Sequence, residues 1–232
     1  MAGIDYSKYY EHYNAEWRCI CSEDKALHLD ALLRLHTDLL PHPLGWVLEV
    51  GAGDGAVSQE LLSRNPGWKL CAADISESAR ELLGKRKIFS CVYDISHIPE
   101  EKRFDLVIAC HVLEHVTDMD SFVTMLGSKA DFQLIEVPLE DTVSLSRGLL
   151  ANGTGHINFF RPVTLELFLE SRGYHIIDKM IYLPSLEIHR FGRPVTGTLA
   201  WLAKRLLLAV SPALASYFFS YHMIVLMRPD AS

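Results

Sequence analysis

The stretch Trp46-Val-Leu-Glu-Val-Gly-Ala-Gly-Asp-Gly55 decides the fold, because a short apolar run passes directly into a loop with three glycines. The apolar run predicts a buried strand, and the residues that follow the loop predict a helix. Glycines allow a sharp turn and a close approach of the backbone to a ligand, since they carry no Cβ. Gly51, Gly53 and Ala56 also satisfy the GxGxxG/A pattern of dinucleotide-binding proteins, so the loop alone leaves two ligand classes open.

Acidic residues at the ends of three predicted strands favour a cationic ligand. Glu49 lies two residues before Gly51, where its charge would repel a pyrophosphate but attract a ligand that carries an ammonium and a sulfonium. Asp74 ends the second strand, 23 residues after Gly51, where a carboxylate can bind both hydroxyls of a ribose in either ligand class. Asp94 ends the third strand, where a carboxylate can accept a hydrogen bond from an adenine amino group.

The whole chain alternates predicted strands and helices, which indicates repeated βαβ units in a mostly parallel α/β sheet with helices on both faces. We expect seven strands, at residues 46–50, 69–73, 88–93, 104–110, 132–137, 174–181 and 222–227. We expect a single domain over 1–232, with an N-terminal helical lid at 1–43, a core at 44–181, an apolar helical insertion at 182–220 and the last strand at 221–228.

The ordered set of motifs resembles the class I S-adenosylmethionine-dependent methyltransferases, particularly the small "methyltransferase domain" type. The likeness covers about residues 47–181, and the stretch 104–116 looks like the fourth-strand motif of that family. The resemblance implies a Rossmann-like fold with an antiparallel last strand, bound S-adenosylmethionine and methyl transfer. The residues that it assigns to the cofactor are Glu49, Gly51, Gly53, Asp54, Asp74, Ile75, Asp94, Ile95 and Cys110.

The general base that an alcohol acceptor requires should lie beyond the carboxyl ends of the strands, where His111, Glu136, Glu140 and His156 are the candidates. His156 lies in a glycine-containing loop within the long irregular connection 139–160, and His111 directly follows the fourth predicted strand. We favour His156 as the base and place His111 second, since histidine titrates near neutral pH. A histidine that only holds its loop by a hydrogen bond is an equally good interpretation. Glu114 and His115 are interpreted as loop supports.

The acceptor is inferred from resemblance and from the motifs that the chain lacks. Residues 155–160, Gly-His-Ile-Asn-Phe-Phe, resemble a segment of methyltransferases in cell-surface polysaccharide and related sugar pathways. We therefore expect O-methylation of a sugar, glycan or other small-molecule hydroxyl. Ala109-Cys110-His111 stand where catechol-type members hold a metal, and a Pro-Pro-aromatic motif of nucleobase methylation is missing, so we expect neither metal nor nucleic acid. N-methylation of an amino sugar or amine, aminopropyl transfer and a non-catalytic cofactor-binding module remain open.

Composition supports a globular protein that does not bind nucleic acid. The 232 residues carry a net charge of −7, whereas phosphate binding requires clustered Lys and Arg. The five cysteines favour reduced thiols, and residues 1–18 lack the apolar core of a signal peptide, so we expect a cytoplasmic protein. An apolar stretch within the insertion, residues 197–220, predicts a pocket wall or homodimer face, with peripheral contact at the inner face of the membrane as the alternative.

Overall fold

The structure, a computed structural model, describes residues 14–41, 44–86, 88, 90–92, 94–145 and 155–230. The strands are β1 Trp46–Val50, β2 Lys69–Ala73, β3 Ser90–Val92, β4 Leu106–Cys110, β5 Gln133–Leu139, β6 Tyr174–Tyr182 and β7 Tyr221–Pro229. The helices are α1 Ala15–Arg34, α2 Ala56–Arg64, α3 Glu77–Leu83, α4 Met119–Lys129, α5 Pro162–Ser171, α6 Leu186–Arg190, α7 Pro194–Val210 and α8 Pro212–Phe218.

The seven strands form one sheet in the order β3-β2-β1-β4-β5-β7-β6. β1 pairs in parallel with β2 and β4, whereas β7 lies between β5 and β6 and is antiparallel to both. The strand order reverses between β1 and β4, so the loops after these two strands diverge to opposite faces of the sheet. Ligands bind at such a switch point, beyond the carboxyl ends of the strands.

Helices cover both faces of the sheet, and each face has its own apolar core. Side chains of α1, α2 and α3 pack on one face, with Leu29, Leu61 and Leu83 fully buried there. On the other face α4 and α5 bury Leu126 and Leu165. Every residue of β4 is buried, as expected of a central parallel strand. The predicted Rossmann-like α/β architecture is therefore confirmed.

Several element boundaries differ from those predicted. Within the predicted N-terminal lid the apolar periodicity of the sequence covers residues 26–40, but α1 begins at Ala15, where the side chain of Asn14 accepts hydrogen bonds from the backbone amides of Glu16 and Trp17. None of its first seven residues is buried, so apolar periodicity did not reveal these turns. β3 is described over Ser90–Val92, within the predicted range 88–93, and positions 89 and 93 lie outside the described residues. Residues 1–13 of the predicted N-terminal lid, including the tyrosines at positions 6, 9, 10 and 13, lie outside the described residues.

The insertion after β6 folds as α6, α7 and α8 and exposes an apolar stripe. Leu199, Leu206 and Val210 of α7 are each more than 60% exposed. None of the helices that the structure describes has the length and apolarity needed to cross a bilayer. A pocket wall, a homodimer face and a peripheral membrane contact all remain predictions for this surface.

The start of β1 is fixed to β4 by one carboxylate, which makes a test of fold stability. Asp105 Oδ2 accepts hydrogen bonds from the backbone amides of Gly45 at 2.7 Å and Trp46 at 2.8 Å. We expect Asp105→Ala to lower the free energy of unfolding in urea by about 2 kcal/mol, since two partly buried donors lose a charged acceptor. The control Asp131→Ala removes an exposed partner of Arg103 and should change stability little. Equal losses in both variants would contradict this role for Asp105.

Candidate active site

The glycine turn after β1 places open backbone at the switch point of the sheet. Gly51 and Gly53 have positive φ angles of 71° and 58°, a region that side chains with a Cβ rarely occupy. A Cβ at Gly51 would lie 2.4 Å from Cγ2 of Val112, which follows β4. The amide of Gly51 donates a hydrogen bond to the carbonyl of Ala73 at 2.8 Å. The turn therefore requires glycine both for its conformation and for its contact with the loop after β4.

Two of the predicted acids adjoin this turn. Glu49 is buried, accepts a hydrogen bond from the Ser58 hydroxyl, and its burial raises the pKa of the carboxyl group to about 7. Asp74 Oδ2 accepts a hydrogen bond from the Gly53 amide at 2.7 Å, and Oδ1 accepts one from the Ser76 amide at 2.7 Å. Burial raises the pKa of Asp74, and these two hydrogen bonds oppose that shift. Asp74 thus fixes the glycine turn against the end of β2.

A cavity of about 650 Å³ opens at the carboxyl ends of β1, β2 and β4 and brings most of the predicted residues together. This volume suits a ligand of cofactor size. The predicted residues that line it are Glu49, Gly51, Gly53, Asp54, Asp74, Ile75, Cys110, His111 and His156. Helix α1 contributes Arg18, Cys21, Ser22 and Lys25 to the same wall.

Three predicted cofactor residues have structural contacts of their own. Asp54 lines the cavity, but its carboxylate pairs with Arg86 at 2.8 Å and with Arg18 at 3.3 Å. Asp94 accepts a hydrogen bond from the Ser96 amide and caps a short 3-10 turn, and Ile95 is buried in the core. Neither Asp94 nor Ile95 is among the described residues that line the cavity, so their adenine role stays a prediction.

Behind the cavity lies a buried polar network that sequence reasoning did not assemble. Glu136 of β5 accepts hydrogen bonds from Cys110 and Tyr182, and its Oε1 lies 2.9 Å from Nδ1 of His222. Burial acts to raise the pKa of Glu136, but the charge of His111 holds it well below its usual value. Strand pairing brings these residues together from β4, β5, β6 and β7, which their distant positions in the sequence did not indicate.

His111 contacts carboxylates through both ring nitrogens. Its Nδ1 lies 3.2 Å from Glu114 Oε1 and its Nε2 lies 3.4 Å from Glu136 Oε1. Burial and the charge of Lys25 act to lower the pKa of His111, but the two carboxylates raise it to about 9. The backbone of His111 has a φ of 56°, an unusual value for a residue other than glycine and one that concentrates at functional sites.

His156 faces the same cavity from the connection between β5 and α5. Its Nδ1 lies 2.6 Å from Oε2 of Glu140, and its ring stacks edge-on against His115 with centroids 4.8 Å apart. Nδ1 of His115 in turn lies 3.1 Å from the Gly155 carbonyl oxygen. The amides of Ile157 and Asn158 donate to the carbonyl of Glu114 at 2.8 and 3.0 Å. These bonds hold the His156 segment against the loop after β4.

The described residues contain two groups with the side chains of a metal site, although the sequence led us to expect none. One group is His111, Glu136 and His222, and the other is Glu114, His115 and His156. In each group one nitrogen or carboxylate oxygen per residue lies within 4.8 Å of the others. Metal-free chemistry therefore stays a prediction.

A curated relative shares part of this chain. It is malonyl-[acyl-carrier protein] O-methyltransferase 1 from Ilyobacter polytropus, which is 33% identical over 91 residues. The match covers 37% of this chain and 34% of the relative, so it spans about a third of that protein.

Solved structures share the fold over most of the chain. A SAM-dependent methyltransferase from Geobacter sulfurreducens, in complex with S-adenosylhomocysteine, is 17% identical with a TM-score of 0.55 and covers 88% of this chain and 90% of its own. Magnesium protoporphyrin IX methyltransferase from Synechocystis, with the same product bound, is 18% identical with a TM-score of 0.55 and covers 94% and 89%.

The model of the family described as "Methyltransferase domain" matches residues 22–179, from α1 to β6. This match covers more than half of the chain and includes the glycine turn, the strand-end acids and the loop after β4. The chain therefore belongs to the methyltransferase-domain family.

Proposed function

We propose that this enzyme binds S-adenosylmethionine in the cavity at the switch point and methylates a hydroxyl group of a small molecule, with a sugar or glycan as the acceptor class. The observation that carries the proposal is the pairing of His156 with Glu140 at the wall of the cavity that also contains the glycine turn. A histidine held by a carboxylate is suited to promote loss of a proton from an alcohol. The part-length relative is an O-methyltransferase by name, which agrees with this chemistry.

The side chains around the glycine turn fit the cofactor. Glu49 forms no salt bridge among the described residues, although the charge of Lys25 acts to lower its pKa, and an ammonium or sulfonium would pair directly with its ionised form. Asp74 uses each carboxylate oxygen for one backbone bond, and each oxygen can accept a further bond from a ribose hydroxyl. Cys110 and Ile75 contribute apolar side chains to the wall of the cavity.

The cofactor supplies an activated methyl group, and the protein aligns this group with the acceptor. Methyl transfer from a sulfonium is an in-line displacement, so catalysis depends on holding the nucleophile, methyl and sulfur in one line and on excluding water. Glu49 and Asp74 fix the two ends of the donor, while His111, His115 and His156 line the wall that the acceptor faces.

His156 is better placed than His111 to act on the proton of the acceptor. Both ring nitrogens of His111 face buried carboxylates, at 3.2 and 3.4 Å. His156 has one nitrogen paired with Glu140, which orients the ring and leaves the other nitrogen to act. This geometry supports the order in which the two histidines were ranked from the sequence.

The raised pKa of Glu49 predicts that cofactor affinity depends on pH. Glu49 has a pKa of about 7 because it is buried, and a cationic cofactor binds its ionised form. Binding therefore lowers this pKa, so affinity is full above pH 7 and falls as pH drops through 7. Calorimetry should show S-adenosylmethionine binding about tenfold weaker at pH 6 than at pH 8.

Glu49→Gln should bind the cofactor weakly and without this pH dependence. The control Glu81→Gln changes an exposed carboxylate on α3 and should keep the wild-type profile. NAD, titrated in parallel, should give no binding heat. A wild-type affinity that is flat between pH 6 and 8 would rule out ionisation of Glu49 as the cause of binding.

Loss of His156 should reduce turnover and leave cofactor binding intact. We expect His156→Ala to lower kcat by roughly 10²–10⁴-fold, since promotion of proton loss contributes about this factor. The dissociation constant for S-adenosylmethionine should stay within about twofold, because Glu49 and Asp74 are untouched. His175→Ala, an exposed histidine on β6, is the matched control. Unchanged turnover in His156→Ala would remove this residue from the reaction.

The acceptor can be found by transfer of a labelled methyl group from the cofactor into a cell extract, followed by identification of the labelled product. A methyl ether on a sugar or other alcohol supports the proposal, and a methylated amine overturns the O-methylation part. If no labelled product forms although the cofactor binds, the result favours a non-catalytic cofactor-binding module and contradicts the proposed methylation.

A further inference from the structure

We propose that Glu114, His115 and His156 bind a divalent transition-metal ion, such as Zn²⁺, at the acceptor wall of the cavity. One ligand atom from each of these residues lies within 4.8 Å of the other two. Two imidazole nitrogens and one carboxylate oxygen are a ligand set that Zn²⁺ and similar ions use, with further positions left for water or substrate. The inference rests on the proposed methyl transfer and deepens the role of His156 in it: the ring nitrogen that is not paired with Glu140 would hold the ion, and the ion would promote loss of the acceptor proton.

The strongest observation is the state of the Glu114 carboxylate. The residue is fully buried, and neither of its side-chain oxygens accepts a hydrogen bond of normal geometry from the described residues. Its Oε1 lies 3.2 Å from Nδ1 of His111 and 3.9 Å from Nε2 of His115. Buried carboxylates without hydrogen bonds are rare in native proteins, and a bound ion is one of their recognised causes.

The two histidines carry the outer contacts that metal-binding histidines have. His156 places Nδ1 against Glu140 at 2.6 Å, and His115 places Nδ1 near the Gly155 carbonyl oxygen at 3.1 Å. Donation of a proton from Nδ1 to a carboxylate or carbonyl fixes the tautomer and puts the lone pair on Nε2. This carboxylate–histidine and carbonyl–histidine arrangement orients ligands and raises their basicity in known metal sites.

Only small side-chain movements are needed to close the site. Ligands about 2.1 Å from a common ion lie at most roughly 4.2 Å from one another, and the three ligand atoms here already lie within 4.8 Å of one another. Rotation of the two imidazole rings can supply the difference. His115 and His156 both line the cavity, so an ion between them would meet an acceptor hydroxyl there and lower the pKa of that hydroxyl.

The second group, His111, Glu136 and His222, is the weaker candidate. Glu136 already accepts hydrogen bonds from Cys110 and Tyr182 and contacts His222, so its charge is compensated without an ion. His222 is not among the described residues that line the cavity. This group provides an internal comparison for the experiment.

The test is titration of the tag-free, chelator-treated chain with Co²⁺ followed by visible absorption, and with Zn²⁺ followed by calorimetry. We expect one ion per chain for the wild type and affinities weakened at least tenfold in Glu114→Gln and His156→Gln. Glu140→Gln changes only an outer contact and should weaken binding by about 10- to 100-fold. His175→Gln and His222→Gln should bind as the wild type does. Thermal unfolding of each metal-free variant verifies that it is folded.

Three outcomes overturn the proposal: no binding by the wild type, loss in His222→Gln but not in Glu114→Gln, or equal affinity in all variants, which indicates adventitious surface binding. Titration of the same proteins with S-adenosylmethionine separates this inference from the proposed function. A variant that loses metal binding but still binds S-adenosylmethionine shows that its substitution affects the metal site and not the cofactor site. A wild type that binds the ion but not the cofactor contradicts the proposed function and leaves the ion site standing.

Discussion

The glycine turn between β1 and α2 is the constraint on which the rest of the site depends. Its backbone lies in a region closed to most residues, its Gly51 amide is bonded to the end of β2, and Val112 from the loop after β4 packs where a Cβ would stand. Three loops from three strands therefore meet at one place because a side chain is missing there. The cavity, the placement of Glu49 and the direction of Asp74 all follow from this contact.

Charge at the cavity is arranged in two layers. Glu49 and Asp74 flank the glycine turn and would meet the donor, whereas Glu114 and Glu136 lie deeper and contact histidines. Burying several carboxylates costs free energy unless each is compensated. Glu136 accepts hydrogen bonds from Cys110 and Tyr182, whereas the Glu114 oxygens accept none of normal geometry and face His111 at 3.2 Å. This difference separates a structural network from a candidate binding site.

Much of the lining of the cavity could be predicted from the sequence because these residues follow the ends of consecutive strands. Glu49, Gly51, Gly53 and Asp74 sit at fixed offsets from apolar runs, and parallel strands bring such ends to one edge. Asp94 follows the same rule, yet it caps a turn and is not part of the described cavity lining. The position of a residue relative to the end of a strand predicts that it lies at this edge of the sheet. It does not predict which hydrogen bonds the side chain makes.

The sequence by itself determined the fold class, the glycine turn, the strand-end acids and the two candidate histidines, because these depend on local periodicity and on residue types at fixed spacing. Only the tertiary structure decided that Lys25 of α1 reaches the same cavity, that His222 of β7 joins Glu136 of β5, and that His156 lies beside His115. The two side-chain contacts join residues that are 86 and 41 positions apart in the sequence. Strand pairing and loop packing create them, and no short-range pattern in a single sequence records which distant side chains will meet.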